Sequence, residues 1–303
     1  MNNEFPNYDQ YNQKIDLVIY HKNCADGFGA AFSAWKKLNS IAVYIACSYN
    51  DNPPVVVDKH VAVFDFSFPR DITIKLQSEA ASFILLDHHK TAKESISDLP
   101  NCYFNMNKSG AVLAWEFFHP DQPIPKFLLH IQDRDIWKFE MQDTYAFSES
   151  QFLRPYQFDS WNEMMNEQVV IDMIEKGKYL LEMKENNVKY LVKSADKRKF
   201  QGYDTYCVNS YNFLSEVGNN LCEKYPDAVA LIWRWNTKYK CYYISLRSYQ
   251  PKHEGDKCGP DVSMLAKKYE GGGGHEHASG FTYRSEYNIE SLFDKNDVVV
   301  SER

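Results

Sequence analysis

Several apolar segments in the first half of the chain end abruptly in an Asp or a His. The clearest is residues 82–86, which run directly into Asp87, His88 and His89. A short apolar run closed by polar residues is typical of a buried strand. In an α/β sheet, active sites lie at the carboxyl ends of the strands. Because burying charge is costly unless it is paired or metal-bound, these three ionisable side chains predict a metal site at this position.

The same arrangement recurs three more times along the chain. Residues 15–20, 60–64 and 127–131 are apolar segments, and the polar side chains that follow them are His21, Cys24 and Asp26, then Asp65, then Asp133 and Asp135. Imidazole and carboxylate together suit Mn²⁺, Mg²⁺ or Zn²⁺. One such aspartate alone would more often be a helix cap or a turn residue. Their repetition after apolar segments favours a metal site instead.

Composition restricts the kind of substrate and compartment. The net charge is −7, from 34 basic and 41 acidic residues, whereas proteins that grip long nucleic acids are usually basic. A small phosphorylated substrate is therefore expected, with no stable binding of long duplexes. Seven cysteines form no Cys-x-x-Cys pair, which predicts reduced thiols and a cytoplasmic location. The sequence shows neither a signal peptide nor an apolar run long enough for a membrane span.

Hydrophobic patterning predicts a two-domain α/β protein. Residues 1–150 alternate short apolar strands with helical patterns, which favours a mostly parallel sheet. Residues 151–200 are predicted to be a linker region containing one long helix over 161–193. Residues 201–303 contain a hairpin pattern and a helix beginning at Asp261, and are predicted to be a smaller α/β domain. The basic segment 193–199 is interpreted as a solvated helix end or linker.

Four consecutive glycines, residues 271–274, precede His275, Glu276 and His277. Glycine lets the backbone approach a ligand closely, and successive N–H groups can form an anion-binding nest. A flexible linker is the alternative, but a linker seldom continues into a strand-like segment such as residues 280–283. We therefore predict a binding loop.

Taken in order, these motifs resemble those of the DHH phosphoesterase superfamily, which is named for the triplet found here at residues 87–89. The second half resembles the DHH-associated domain that ends in a glycine run, a histidine and a Gly-Phe pair. The resemblance covers roughly residues 15–285. Relatives include the RecJ exonuclease, nanoRNases and dinucleotide phosphodiesterases. The resemblance implies a catalytic metal-binding domain at residues 1–150 and a substrate-binding domain at residues 201–303.

The resemblance also implies roles for particular residues. The implied metal ligands are His21, Cys24, Asp26, Asp65 and His88, with Asp135 favoured by spacing over Asp133, which stays open. His89 is implied to face the substrate, and Asp87 to orient its neighbour. The implied substrate-binding residues are Arg247, Ser248, Gly272, Gly273, Gly274 and His275. Two divalent ions are expected, Mn²⁺ first, with Mg²⁺ as an alternative and Zn²⁺ at the Cys24 site.

Cys24 departs from the pattern, because relatives usually have an aspartate there. A thiol is a soft ligand and a poor one for Mn²⁺ or Mg²⁺. Three alternatives follow: the thiol replaces the carboxylate in a softer site, it is a required thiolate ligand, or it is buried and turned away.

The expected activity is hydrolysis of short oligonucleotides or of linear or cyclic dinucleotides to nucleoside 5′-monophosphates by a hydroxide that two metal ions activate. A pyrophosphatase-like enzyme and a catalytically degenerate nucleotide-binding protein are the alternatives. Base preference, RNA or DNA, direction of attack and oligomeric state are not written in the sequence. His253, Cys258 and His277 match no common zinc spacing, so surface or loop roles are expected for them.

Overall fold

The computed structural model describes residues 5–49, 51–251, 257–284 and 288–294. The chain divides into two compact units, Met1–Leu181 and Glu182–Arg303. Each unit has its own sheet, a parallel one of five strands and a mixed one of six. The predicted α/β class, with a mostly parallel first domain and a second α/β domain, is confirmed. His253 lies outside the described residues.

The first unit is built around a parallel sheet with strand order β2-β1-β3-β4-β5. Its strands are β1 (Leu17–His21), β2 (Val43–Cys47), β3 (His60–Phe64), β4 (Ser82–Asp87) and β5 (Cys102–Phe104). Its helices are α1 (Tyr8–Tyr11), α2 (Ala25–Leu38), α3 (Arg70–Glu79), α4 (Lys90–Ile96), α5 (Gly110–Phe118), α6 (Lys126–Asp135), α7 (Thr144–Gln151) and α8 (Phe158–Asn162). Because every strand runs the same way, all carboxyl ends meet at one edge.

Both faces of this sheet are covered by helices. Successive residues of a strand point to opposite faces. Accordingly, Phe64 and Leu86 lie in one buried cluster with residues of α2 and α5. Val63 and Leu85 lie in another cluster, with residues of α3 and α4. Burial on both sides explains why the central strands have continuous apolar sequences.

The helix α9 (Glu167–Lys193) contains the boundary between the two units. The second unit then contains β6 (Asp196–Phe200), β7 (Tyr203–Asn209), α10 (Leu214–Lys224), β8 (Val229–Asn236), β9 (Cys241–Arg247), α11 (Val262–Ala266), β10 (Gly273–His275) and β11 (Ala278–Tyr283). The strand order is β10-β11-β9-β8-β7-β6, and only the β7–β8 pair is parallel. Helices cover apolar residues on both faces of this sheet.

The basic segment 193–199 differs from its interpretation as a helix end or linker, because most of it forms strand β6. Arg198 is buried, and its guanidinium pairs with Glu290 at 2.6 Å and lies over the Phe293 ring. Pairing and stacking offset the cost of burying its charge, so a lysine- and arginine-rich run can form a strand here.

All seven cysteines are free in this structure. In the described part of the chain, no helix has the combined length and apolar character needed to cross a membrane.

Candidate metal centre

The carboxyl edge of the first sheet gathers side chains from three neighbouring strands. In the sheet register, Tyr20 is opposite Phe64, which is opposite Leu86. The residues that come next in the chain therefore lie at the same height along the sheet edge, and they are His21, Asp65 and Asp87. Parallel pairing alone explains why side chains distant in sequence meet here.

Asp65 is held in an unusual backbone conformation at the centre of this edge. Its φ is +53°, in the left-handed region that aspartate tolerates better than most residues. Its backbone N–H donates to Leu86 O at 3.1 Å. Helix α5 begins against its side chain, and a Cβ at Gly110 would collide with the Asp65 Cβ. Glycine at 110 thus permits the close approach of α5 to this carboxylate.

Asp26 reaches the same edge from the first turn of α2. Its side chain is buried and accepts hydrogen bonds from Gly110 N at 2.5 Å and Ala111 N at 2.9 Å. These donors are first-turn amides of α5, which have no partner within their own helix. Burial raises the pKa of the Asp26 carboxyl well above its usual range, and the charges of Asp65 and Asp135 raise it further.

Two of the groups of ligand-type atoms at this edge share no residue. His21, Cys24 and Asp65 form one group, and Asp26, His88 and Asp135 form the other, each with ligand atoms within 4.8 Å of one another. His88 Nε2 lies 3.6 Å from Asp26 Oδ2 and 3.4 Å from Asp135 Oδ2.

Asp65 connects the two groups with its two oxygens. Its Oδ2 lies 3.6 Å from His21 Nδ1, and its Oδ1 lies 3.1 Å from His88 Nε2. A carboxylate with one oxygen directed at each group is placed to be shared by two neighbouring cations.

The residues present fit divalent metal ions. Asp65 Oδ2 is buried and has no hydrogen-bond partner among the described residues, and such an atom carries the full cost of desolvation. Two imidazoles, three carboxylates and one thiol form a donor set suited to Mn²⁺, Mg²⁺ or Zn²⁺. A cation would supply the missing partner of this oxygen.

The titration behaviour of the carboxyls reflects their crowding. Burial acts to raise the pKa of Asp65, but the neighbouring His21 and His88 outweigh it and lower the pKa to about 2. Burial and then the negative charge of Asp65 raise the pKa of Asp135 to about 6. The centre therefore concentrates negative charge that a cation would neutralise.

His89 and Asp87 form a pair beside this centre. His89 Nδ1 lies 2.6 Å from Asp87 Oδ1, and the hydrogen bond to Asp87 raises the pKa of His89 to about 9. The buried Asp87 also accepts hydrogen bonds from the backbone N–H groups of His88 and His89, and from Ser67 Oγ at 2.6 Å. The pairing with Asp87 therefore favours the protonated form of His89, and its Nε2–H is left as a donor for a ligand. The contribution of Ser67 was not foreseen from the sequence.

The structure separates the two aspartates of the fourth segment. This segment is helix α6 and not a strand, and residues two apart on a helix point in different directions. Asp135 joins the His88 group. The Asp133 carboxylate instead accepts hydrogen bonds from Glu140 N, Met141 N and Thr144 Oγ1 at 2.8, 3.1 and 2.6 Å. Among the described residues, Asp133 belongs to none of the groups of ligand-type atoms.

Cys24 is the residue directly before α2, and its Sγ falls in the group with His21 and Asp65. Burial, followed by the charges of Asp65 and Asp26, raises the pKa of its thiol. Without a cation the group is therefore a neutral thiol. The alternative of a cysteine turned away from the site does not agree with this placement.

A pocket of ≈340 Å³ adjoins the centre. Its lining includes the polar residues Cys24, Asp26 and Asp135 and the apolar residues Ile131, Phe147 and Phe152. Trp137 also lines it and is 74% exposed. An unusual φ of +59° at Trp137 accompanies this exposure, and no sequence signal reveals it.

Of the substrate-binding residues predicted in the second unit, Arg247 is the last residue of β9, and Gly273, Gly274 and His275 form β10. Ser248 and Gly272 lie directly beside these strands in the sequence. The Arg247 guanidinium is bound to neutral oxygens of Ser245, Leu246 and Ser215 within the described residues, at 2.9, 2.8 and 3.2 Å. Burial lowers the pKa of Arg247. Ser248 Oγ lies 2.9 Å from His277 Nδ1.

The glycine run is part of the sheet and not a linker. Gly273, Gly274 and His275 form strand β10, which pairs with β11. Gly274 has a φ of +133°, and a Cβ there would lie 2.6 Å from Ala278 O. A Cβ at Gly272 would meet the backbone of Ala266. Glycine is thus required by tight packing in this turn.

Comparison with known proteins agrees with this architecture. No protein-family model matches the chain. An uncharacterized protein of Acanthamoeba polyphaga mimivirus is 32% identical over 296 residues, covering 89% of this chain and 68% of that protein.

Three solved structures share the fold. The pGpG-specific phosphodiesterase PggH of Vibrio cholerae has a TM-score of 0.52 at 15% identity, covering 90% of this chain and 94% of its own. The DHH domain of a member of a family of ribosomal proteins has a TM-score of 0.56 at 11% identity, covering 92% and 84%. The exonuclease RecJ bound to manganese has a TM-score of 0.51 at 11% identity, covering 88% and 86%. The chain therefore has the DHH fold, as its Asp87-His88-His89 triplet indicated, and belongs to the same family as the mimivirus protein.

Proposed function

We propose that the protein is a metal-dependent phosphodiesterase that hydrolyses short oligonucleotides or dinucleotides to nucleoside 5′-monophosphates. The observation that carries this proposal is the placement of Asp65, whose two oxygens are directed at His21 and His88 in two adjacent groups of ligand atoms. A shared carboxylate is the usual centre of a site for two cations.

One cation would be held by His21, Cys24 and Asp65, and a second by Asp65, Asp26, His88 and Asp135. Bound divalent ions supply Lewis acidity and lower the pKa of a bound water. Mn²⁺ is the ion proposed first, because most of the donors are carboxylates and imidazoles. The RecJ structure, which contains manganese, supports this choice.

His89 is proposed to stabilise the charge that develops on the phosphoryl oxygens. Its pKa of about 9 keeps the ring protonated at neutral pH, and Asp87 fixes the ring through Nδ1. The second ring nitrogen is then a charged donor whose orientation is set before substrate binds, and preorganised donors of this kind lower the barrier most.

The pocket beside the centre supports a small nucleotide as substrate. Its lining includes the ligand-type residues Asp26 and Asp135 together with apolar and aromatic side chains, and aromatic side chains can stack on a flat base. Arg247 is proposed to bind a phosphate, since its guanidinium has only neutral oxygens as partners among the described residues and its planar fork matches phosphate geometry. That PggH is a pGpG-specific phosphodiesterase supports the same substrate class.

The experiment is a hydrolysis panel with purified protein and Mn²⁺. A dinucleotide, a five-nucleotide RNA, a long duplex and pyrophosphate are offered separately, with and without EDTA. The two short substrates should be cleaved fastest, and EDTA should abolish the reaction. Rapid pyrophosphate hydrolysis with inert dinucleotides would identify a pyrophosphatase instead, and nucleotide binding without turnover would identify a degenerate binding protein.

Asp65→Asn tests the centre itself. The variant should lose bound metal and nearly all turnover, because both groups lose their shared carboxylate. Asp121→Asn is the matched control, since Asp121 is an exposed aspartate of the same unit outside the centre. Full activity of Asp65→Asn in the presence of chelator would refute the proposal.

A further inference from the structure

A second cluster of metal-type side chains lies in the second unit, beside the turn between β10 and β11. Cys258, Glu276 and His277 each offer one ligand atom, and these atoms lie within 4.8 Å of one another. Cys258 Sγ is 3.5 Å from His277 Nε2 and 3.9 Å from Glu276 Oε1, and the latter two atoms are 3.9 Å apart. None of the three residues belongs to the metal centre described above.

These separations are close to those of a tetrahedral zinc site. Zinc binds thiolate sulfur at about 2.3 Å, and imidazole nitrogen and carboxylate oxygen at about 2.0–2.2 Å. With tetrahedral angles, such bonds place ligand atoms about 3.3–3.6 Å apart. The three atoms here would have to approach one another by no more than about 0.6 Å to reach that geometry. Side-chain rotation on an exposed surface readily provides such a movement.

The imidazole is already oriented for binding. His277 Nδ1 lies 2.9 Å from the hydroxyl of Ser248, which is buried, and this contact directs Nε2 toward Cys258. Histidines that bind metal almost always engage their second ring nitrogen in a hydrogen bond of this kind, which fixes the tautomer and the ring orientation.

Hydrogen bonds hold the backbone segments that carry the cluster. Gly259 N donates to Tyr249 O at 2.9 Å, next to Cys258. Val262 N donates to Glu276 O at 2.8 Å, which ties the segment after Cys258 to the turn. Because hydrogen bonds hold the two segments together, little conformational entropy would be lost when a metal ion joins them.

We propose that Cys258, Glu276 and His277 bind one Zn²⁺ ion, with solvent as the fourth ligand. A thiolate selects Zn²⁺ over Mn²⁺ and Mg²⁺, so this site and the carboxylate-rich centre would take different metals. Three protein ligands and one open position are typical of accessible zinc sites. The bound ion would fix the turn that follows His275. Under this proposal, Cys258 and His277 are zinc ligands, whereas surface or loop roles were expected for them from the sequence.

The test isolates this site from the first one. In a Cys24→Ala/Asp65→Ala background, which lacks two ligands of the first centre, zinc content is measured by mass spectrometry after dialysis against micromolar Zn²⁺. We expect one zinc per chain, and replacement by Co²⁺ should give thiolate-to-cobalt charge-transfer absorption. Cys258→Ser in the same background should lose both signals. Glu270→Gln is the control, since Glu270 is an exposed acid of the same unit that pairs with Arg284.

Ser248→Ala tests whether Ser248 orients His277 without itself binding the zinc ion. It should weaken zinc binding about 10- to 100-fold while keeping the cobalt absorption, because the thiolate ligand remains and only the support of His277 is lost. Unchanged zinc content and an unchanged cobalt spectrum in the Cys258→Ser variant would overturn the proposal, as would absence of zinc from the background protein. These readouts do not depend on phosphodiesterase turnover, so they fail or succeed independently of the proposed function.

Discussion

His89 Nδ1 lies 2.6 Å from Asp87 Oδ1, and Asp87 is fully buried. A buried carboxylate beside an imidazole favours the imidazolium form, which explains why the pKa of His89 is raised to about 9. Because the folded-state pKa is above the unfolded value of about 6.5, the pair contributes stability that is fully present below about pH 6.5. That contribution is lost as the pH rises through about 9.

Asp87→Asn should lower the pKa of His89 toward its ordinary value, because the charge that favours the imidazolium is removed. NMR titration of the metal-free protein measures this pKa directly. A His89 pKa that is the same in Asp87→Asn and in Asp121→Asn would contradict the assigned pairing.

His89→Asn should reduce kcat about 10²- to 10³-fold, the usual cost of removing one preorganised donor, with bound metal unchanged.

The neighbouring aspartates of α6 offer a matched pair of variants. Asp135→Asn should lose bound metal, since its carboxylate belongs to the His88 group. Asp133→Asn should keep its metal but lower the free energy of unfolding by about 1–3 kcal/mol, because the hydrogen bonds from Glu140, Met141 and Thr144 are weakened. Metal content by elemental analysis and urea denaturation separate the two effects. Metal loss in Asp133→Asn with normal metal in Asp135→Asn would reverse the assignment.

The first sheet could be predicted well because its strands are buried on both faces. Residues 60–64 form β3 with the bounds expected from the apolar run, and residues 82–87 form β4. The fourth apolar segment, residues 127–131, is helical instead, because five apolar residues do not distinguish a buried strand from the inner face of a helix. The choice between Asp133 and Asp135 depended on that distinction.

Other features depend on tertiary contacts that local patterns do not encode. Cys258 and His277 are 19 residues apart, and they meet through tertiary hydrogen bonds such as those from Gly259 N to Tyr249 O and from Val262 N to Glu276 O. Ser67 becomes a partner of Asp87 only when β3 and β4 lie side by side. Arg198 is buried in a strand because Glu290 supplies a distant counter-charge. In each case the partner in space, and not the neighbour in sequence, determines the role.

The buried His130 should make the protein less stable in mild acid. Thr144 Oγ1 donates to Asp133, so it accepts from His130 Nδ1, while Nε2 is buried without a partner among the described residues. Burial lowers the pKa of His130 below its usual value. Stability is therefore fully present above the unfolded pKa of about 6.5 and declines as the pH falls toward the folded pKa.

Denaturation by urea at pH 7.5 and pH 5.5 tests this. The loss of unfolding free energy between the two pH values should be smaller in His130→Gln than in the wild type. Part of the loss should remain, because burial also lowers the pKa of His119. An identical pH dependence in both proteins would argue that His130 takes up a proton in the folded state.

Arg247→Ala should weaken substrate binding while leaving bound metal intact. A charge-assisted hydrogen bond contributes about 1.5–3 kcal/mol, so KM should rise on the order of 10- to 100-fold with a smaller change in kcat. Arg234→Ala is the control, since Arg234 lies on the adjacent strand β8 and stacks on Tyr243. Metal loss in Arg247→Ala, or an equal rise of KM in the control, would show that Arg247 does not bind the phosphate.

Cys24 is a thiol in a centre whose other ligand-type side chains are carboxylates and imidazoles. Its Sγ groups with His21 and Asp65, and a thiol is a poorer ligand for Mn²⁺ than a carboxylate. Cys24→Asp should therefore raise Mn²⁺ affinity and keep activity, while Cys24→Ser should cost little activity.

If Cys24 is instead a required thiolate ligand, both variants should lose a metal ion and stop turning over. Titration of each variant with Mn²⁺ and with Zn²⁺ distinguishes these outcomes, because only a required thiolate would also lower the affinity for Zn²⁺ together with activity. An inactive Cys24→Asp enzyme would refute the simple replacement of carboxylate by thiol.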